Sequence, residues 1–174
     1  KHFTKGDGTM SDTPKHPEIE YFRRCFKAVD GLWFMKVEDA HGLEEAFEID
    51  RQVWEVMGKI QVRTIRQLLD KPDNTAEALA ECIRFKLNTE DYGAEVQTKN
   101  GEEVEVRINR CPWLQALQKS KRTNLGPSVA AKICSAEYAA WASEFNARLI
   151  FSPEGTLCAG KGCCKIRFVV NSKP

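Results

Sequence analysis

Five of the chain's seven cysteines fall between residues 111 and 164: Cys111, Cys134, Cys158, Cys163 and Cys164. A thiolate is a soft donor that suits zinc or an iron–sulfur cluster, and an activated thiolate is a nucleophile. Cys111, Cys134, Cys158 and Cys164 offer four sulfurs for a metal-ligating set. No C-x-x-C pair is present, and adjacency makes it strained for Cys163 and Cys164 to hold one zinc together. Glu137 follows Cys134 at helical spacing, so both can face one side and the carboxylate can serve as general base or ligand. Cys134, Glu137 and Cys164 are therefore the catalytic candidates, and spacing leaves metal centre, reactive thiol and inert thiols all open. Cys25 and Cys82 fall near apolar stripes and read as small core hydrophobes.

A second group lies earlier. Trp33, Glu38, Asp50 and Trp54 combine two carboxylates with aromatic rings, a set suited to a pocket for a cationic or amine-bearing ligand. Asp50 and Trp54 are four apart and share a helix face, as do Phe34 and Glu38.

Several chemistries are excluded. There is no G-x-x-x-x-G-K-[ST] loop, no G-x-G-x-x-G after a strand and no G-x-S-x-G elbow. The three histidines, at 2, 16 and 41, all lie outside the cysteine-rich half, and His41 reads as part of a helix end beside Gly42. Lys+Arg 26 against Asp+Glu 25 gives a net charge of +1, which argues against nucleic-acid or acidic-lipid binding. The one basic knot, Lys119 to Arg122, reads as a solvated loop. No apolar run approaches the roughly 18 residues of a membrane helix, and no signal-peptide core is visible. With an odd number of cysteines, this implies reduced thiols in a cytoplasmic protein. The partner expected is a small molecule, and the cofactor, if any, zinc or an iron–sulfur cluster.

These residues must be positioned by the surrounding elements. Residues 1–16 read as a flexible or appended lead-in, and 17–174 as a single α+β domain. Its N-terminal half is helical and its C-terminal half β-rich and cysteine-containing. Pro17 suits a first helical position, and apolar residues recur at Ile19, Phe22, Phe26, Val29, Trp33 and Val37, with Gly31 as a possible kink and Gly42 as the stop. A second helix is predicted from about Leu43 to Leu69, with Ala46, Ile49, Val53, Val56, Ile60 and Ile65 among its inward residues. A third follows Thr75. The period then changes to two around Asn100-Gly101, a hairpin signal. Beyond Cys111-Pro112 the pattern predicts a short helix, an Ala-rich helix over 127–145, and strands near 148–152 and 165–170. An antiparallel sheet of about four strands with helices packed against it accommodates all of this.

The segment Cys134-Ser135-Ala136-Glu137-Tyr138, with the later run from Thr156 through Gly160 to Cys164 and Phe168, resembles the L-2-amino-thiazoline-4-carboxylate hydrolase family. That family shows Cys-x-x-Asp-Tyr and a Thr-Leu-x-x-Gly-x-x-x-Cys-Asp-Phe-Arg-Phe ending. Arg110-Cys111-Pro112 resembles it too. The stretch Asp30-Gly31-Leu32-Trp33-Phe34, with Glu38 and Asp50 to Trp54, is similar to a related group of largely uncharacterised cytosolic proteins. The resemblance covers most of residues 20–170 and implies hydrolytic opening of a thiazoline ring at a C–N bond. The Cys-and-Gly ending is also similar to 4-vinyl reductase-type domains, which implies the alternative of a non-catalytic small-molecule-binding or sensing domain with a Cys-ligated metal. Here Glu137 replaces the family's Asp, Lys165 replaces the Asp after the last Cys, Ile166 replaces a Phe, and Cys158 is an additional thiol.

Overall fold

The computed structural model describes residues 16–171. Most of the 1–16 lead-in, and residues 172–174, lie outside the described residues. The fold is α+β. Helices α1 (Pro17–His41) and α2 (Leu43–Leu69) form a hairpin, followed by α3 (Ala76–Thr89) and strands β1 (Gly93–Lys99) and β2 (Glu103–Arg110). After α4 (Pro112–Lys119) come short helical turns, a π-helical segment (Val129–Cys134), α5 (Ser135–Glu144), β3 (Ala147–Phe151) and β4 (Cys164–Val170). The four strands form one antiparallel sheet in the order β1-β2-β4-β3.

Local chemistry accounts for the boundaries. Pro17 opens α1, and Gly42 alone joins α1 to α2. Gly42 sits at φ 89° and ψ 166°, a region open in practice only to glycine, while its N–H donates to the Glu38 carbonyl at 2.8 Å. Thr75 caps α3 by accepting the Ala78 N–H. Asn100 and Gly101 both adopt positive φ in the three-residue turn, 100–102, that joins β1 to β2.

Val104, Val106 and Ile108 of β2 and Ile166, Phe168 and Val170 of β4 alternate inward and meet Leu79, Ile83, Trp141 and Phe145 in the main core. A second, smaller core forms where the helical hairpin meets the segment after α4, around Phe47, Trp54, Leu125 and Ile133. Between the two runs a close helix crossing. A Cβ on Gly58 of α2 would stand 2.8 Å from the Ala140 Cβ and 3.1 Å from the Glu137 carbonyl oxygen of α5.

Four expectations change. Ile19, Phe22, Val29 and Trp33 of α1 and Val53, Val56 and Ile60 of α2 are exposed. Ala46 and Ile65 are buried as expected, but the rest of the buried stripe of α2 is Phe47, Asp50, Trp54, Gly58 and Val62, because Phe47 and Trp54 enter the second core and Gly58 meets α5 at the close crossing. Cys25 lies on the outer face of α1, whereas Cys82 is fully buried. Gly31 does not interrupt α1, and the Ala-rich helix is split by the π-helical turn that ends at Cys134. No helix among the described residues is long and apolar enough to cross a membrane.

Candidate functional site

A partly open cavity of about 480 Å³ lies between the two cores, within the size range of small-molecule sites. α1 contributes Asp30 and Phe34, α2 contributes Asp50 and Trp54, and α4 contributes Trp113 and Leu117. The π-helical segment and α5 add Ile133, Cys134, Glu137 and Tyr138. The exposed lining residues Ala28, Leu32 and Ala116 mark its open side. Ring centroids of Trp54 and Trp113 stand 5.4 Å apart edge to face, and Phe26 packs against both at 6.1 and 5.8 Å. The walls are otherwise chiefly apolar.

The sheet register brings the cysteines here. Cys164 pairs with Ile108 at the end of β2, two residues before Arg110 closes that strand and Cys111 caps α4. Cys111, Cys134, Cys158 and Cys164 thus border one cavity, although they come from four segments. The Cys111 sulfur accepts the Leu114 N–H at 3.5 Å, and the Cys164 sulfur accepts the Leu157 N–H at 3.3 Å. Gly126 admits the Cys158 segment, since a Cβ there would meet the Cys158 carbonyl oxygen at 2.9 Å. Burial pushes the Cys134 thiol well above its ordinary range, and charge on Glu137 and the neighbouring thiols adds to the shift. Burial likewise raises Cys158 to about 12 and Cys164 to about 11. These groups are neutral thiols at physiological pH.

Among the described residues, no group of three or more His, Cys, Asp or Glu is placed to hold a metal ion. The four thiols are near enough for Cys111, Cys158 and Cys164 each to act on the charge of Cys134.

The carboxylates divide into two sets. Asp50 is 6% exposed, and its Oδ1 has no hydrogen-bond partner. Burial, reinforced by the Asp30 charge, raises Asp50 from 3.8 to about 7, although hydrogen bonding to Trp54 pulls it back. Asp30 rises to about 6, chiefly from burial, with hydrogen bonding to Trp54 opposing and the Glu137 charge adding. Glu137 is buried, with Lys86 Nζ 3.0 Å from its Oε1 but out of line for a hydrogen bond. The same ammonium donates to Glu90 at 2.8 Å. Burial alone would lower Lys86; the charges of Glu137 and Glu90 outweigh it and raise it.

Of the residues singled out by sequence, Cys111, Cys134, Cys158, Cys164, Glu137, Asp50 and Trp54 line this cavity. Trp33 does not, being half exposed on the outer face of α1, and Glu38 instead forms an ion pair with the cavity residue Arg122. Sequence reasoning missed Asp30 as an acid of the wall, the buried Lys86, and Trp113. The Asp30–Trp33–Phe34 spacing on one helix could have flagged the first. Lys86 carried no signal, since a lysine late in an amphipathic helix ordinarily faces water.

No curated protein and no solved structure matches the chain. A family model does match, over residues 17–159, which includes the helical hairpin and the cavity wall as far as Cys158. The match covers most of the chain, and the protein belongs to that family, a family of unknown function designated DUF6125.

Proposed function

We propose that this protein is a small-molecule-binding domain whose ligand occupies the cavity between its two cores. The carrying observation is the cavity itself: about 480 Å³, walled by Trp54, Trp113, Phe34 and aliphatic side chains, yet bordered by a few buried polar groups. A space of that volume lined by apolar groups forgoes packing that the same chain achieves elsewhere, and a bound apolar body restores it. All seven cysteines are free, which supports a reducing, cytoplasmic setting.

The test uses a neutral solvatochromic dye, Nile red, and the variant Ala116→Trp. Ala116 is exposed at the open side, so the larger ring fills the mouth without displacing core residues. Saturable dye binding that quenches Trp fluorescence, and that Ala116→Trp abolishes, is the expected result. Binding insensitive to Ala116→Trp would place the dye elsewhere and remove the support.

Hydrolysis is a second reading of the same cavity, favoured by one observation: Glu137 is a buried carboxylate on its wall with an oxygen lacking an aligned donor. The neutral state of Cys134 and Cys164 weighs against a thiolate nucleophile, so binding is the preferred reading. Turnover of 2-amino-thiazoline-4-carboxylate, lost in a folded Glu137→Gln variant, would move the assignment to catalysis.

A further inference from the structure

The geometry points to a ligand that carries a cationic group, a protonated amine or amidine on an apolar body, with its charge seated against Asp50 and Asp30. This inference rests on the cavity being a ligand site and names the chemistry of the occupant.

Asp50 is a buried carboxylate in the cavity wall with one oxygen left without any donor. Buried carboxylate oxygens are nearly always satisfied, because an unpaired one costs several kcal/mol, of the order of ~3. Asp30, on the neighbouring helix, borders the same space, and the two acids repel. Among the described residues, no basic side chain answers them. Arg122 lines the cavity, but its Nη2 is held by both carboxylate oxygens of Glu38. Lys86 serves Glu137 and Glu90. Lys27 also lines the cavity, but its charge acts on Glu90 and Asp91 and is not among the influences on Asp30 or Asp50. Of the wall's three acids, Asp30, Asp50 and Glu137, only Glu137 has a basic partner, Lys86 behind the wall, while Arg122 is taken up by Glu38.

The aromatic groups agree with this. Trp54, one turn after Asp50, lies against both acids, and Trp113 and Phe26 pack edge to face around it. A cation at Asp50 would meet indole as well as carboxylate, the combination that recognises alkylammonium groups. A donor N–H⁺ would satisfy Asp50 Oδ1, and the remaining volume would take the hydrocarbon. An anionic ligand would add repulsion to a wall that already repels itself.

The experiment compares matched pairs: octylamine with octanol, and 2-(1-naphthyl)ethylamine with 2-(1-naphthyl)ethanol. Binding is followed by Trp fluorescence and calorimetry on the full chain at about pH 8, where both the amine and Asp50 are charged. Each amine should bind at least about tenfold tighter than its alcohol. Asp50→Asn should cut amine affinity by about tenfold or more and alcohol affinity by less, and Asp30→Asn should do the same to a smaller degree. Lowering the pH to about 5 should shrink the amine preference in the native protein, since Asp50 then holds its own proton. If Asp50→Asn does not fold, as judged by circular dichroism, Asp30→Asn and the pH series carry the test. Alcohols binding as tightly as amines would overturn the inference and leave the cavity reading standing. No binding by either member of either pair to folded protein would overturn both.

Discussion

Replacing Asp50 by asparagine removes one ionisable group from the cavity wall and preserves its shape. The magnitude follows from proton linkage. Folding raises this carboxyl from 3.8 to about 7, so between those values the folded protein keeps a proton that the unfolded chain releases. Across that window stability falls as pH rises. The penalty is absent below about pH 4 and complete above about pH 7. Some two pH units of the window lie above pH 5, and at about 1.36 kcal/mol per unit they are worth roughly 2.7 kcal/mol. Coupling to Asp30, which titrates nearby, makes roughly 2 kcal/mol the working expectation. Asparagine has no such window. Its own cost, an amide that needs an acceptor, does not vary with pH. The measurement is urea unfolding of the ligand-free native and Asp50→Asn proteins near pH 5 and near pH 8, with m values checked for constancy. Asp50→Asn should gain roughly 2 kcal/mol relative to the native protein on going from the lower pH to the higher. A stability difference between the two proteins that is the same at both pH values would refute the reasoning, because Asp50 would then titrate as an ordinary solvated carboxylate.

Three further expectations concern the frame around the cavity. Gly42→Ala should cost about 1–3 kcal/mol in chemical denaturation, entirely from backbone strain, since an added Cβ meets nothing within 4 Å. Gly58→Val should cost about 1–3 kcal/mol or more by forcing α2 and α5 apart, and should lower the melting temperature accordingly. Lys86→Met should cost about 3–5 kcal/mol near neutral pH, because Glu137 and Glu90 lose their shared cation. That loss should shrink in mild acid, where Glu90, whose carboxyl burial already raises, can hold a proton; a loss equal at both pH values would show that the ion triad does not govern it.

Elements whose rules are local could be read from the sequence. Pro17, Gly42, Thr75 and the Asn100–Gly101 turn each fix a boundary through their own backbone chemistry, and the structure has them in those roles. The face that a long helix buries is not local. α2 carries two stripes at helical spacing, one of Val53, Val56 and Ile60 and one of Phe47, Trp54 and Val62. Hydropathy favours the first, and the polar Asp50 and bare Gly58 disguise the second. Only the close approach of α5 decides between them. The cysteines were recognisable as a group because they share a region of the chain. Their arrangement around a cavity depends on β4 pairing with β2, a contact that spacing cannot encode. Asp30 and Lys86 lay deeper still, since the role of each comes from a charge on another helix.

The central strand pairing has a consequence for how the molecule is assembled. β2 and β4 join residues 103–108 to residues 164–169, with the whole cysteine-bearing connection looped out between them. Closing so long a loop is entropically costly before it is rewarded, so this pairing belongs to the late, slow part of folding. The helical hairpin and the β1–β2 turn can form early from neighbours in sequence. The cavity cannot, because Cys111 at one end of the loop and Cys164 at the other become its wall only when the loop is shut. An occupant therefore selects for the completed chain. It should slow unfolding more than it speeds folding, and partly folded molecules should have no means of capturing it.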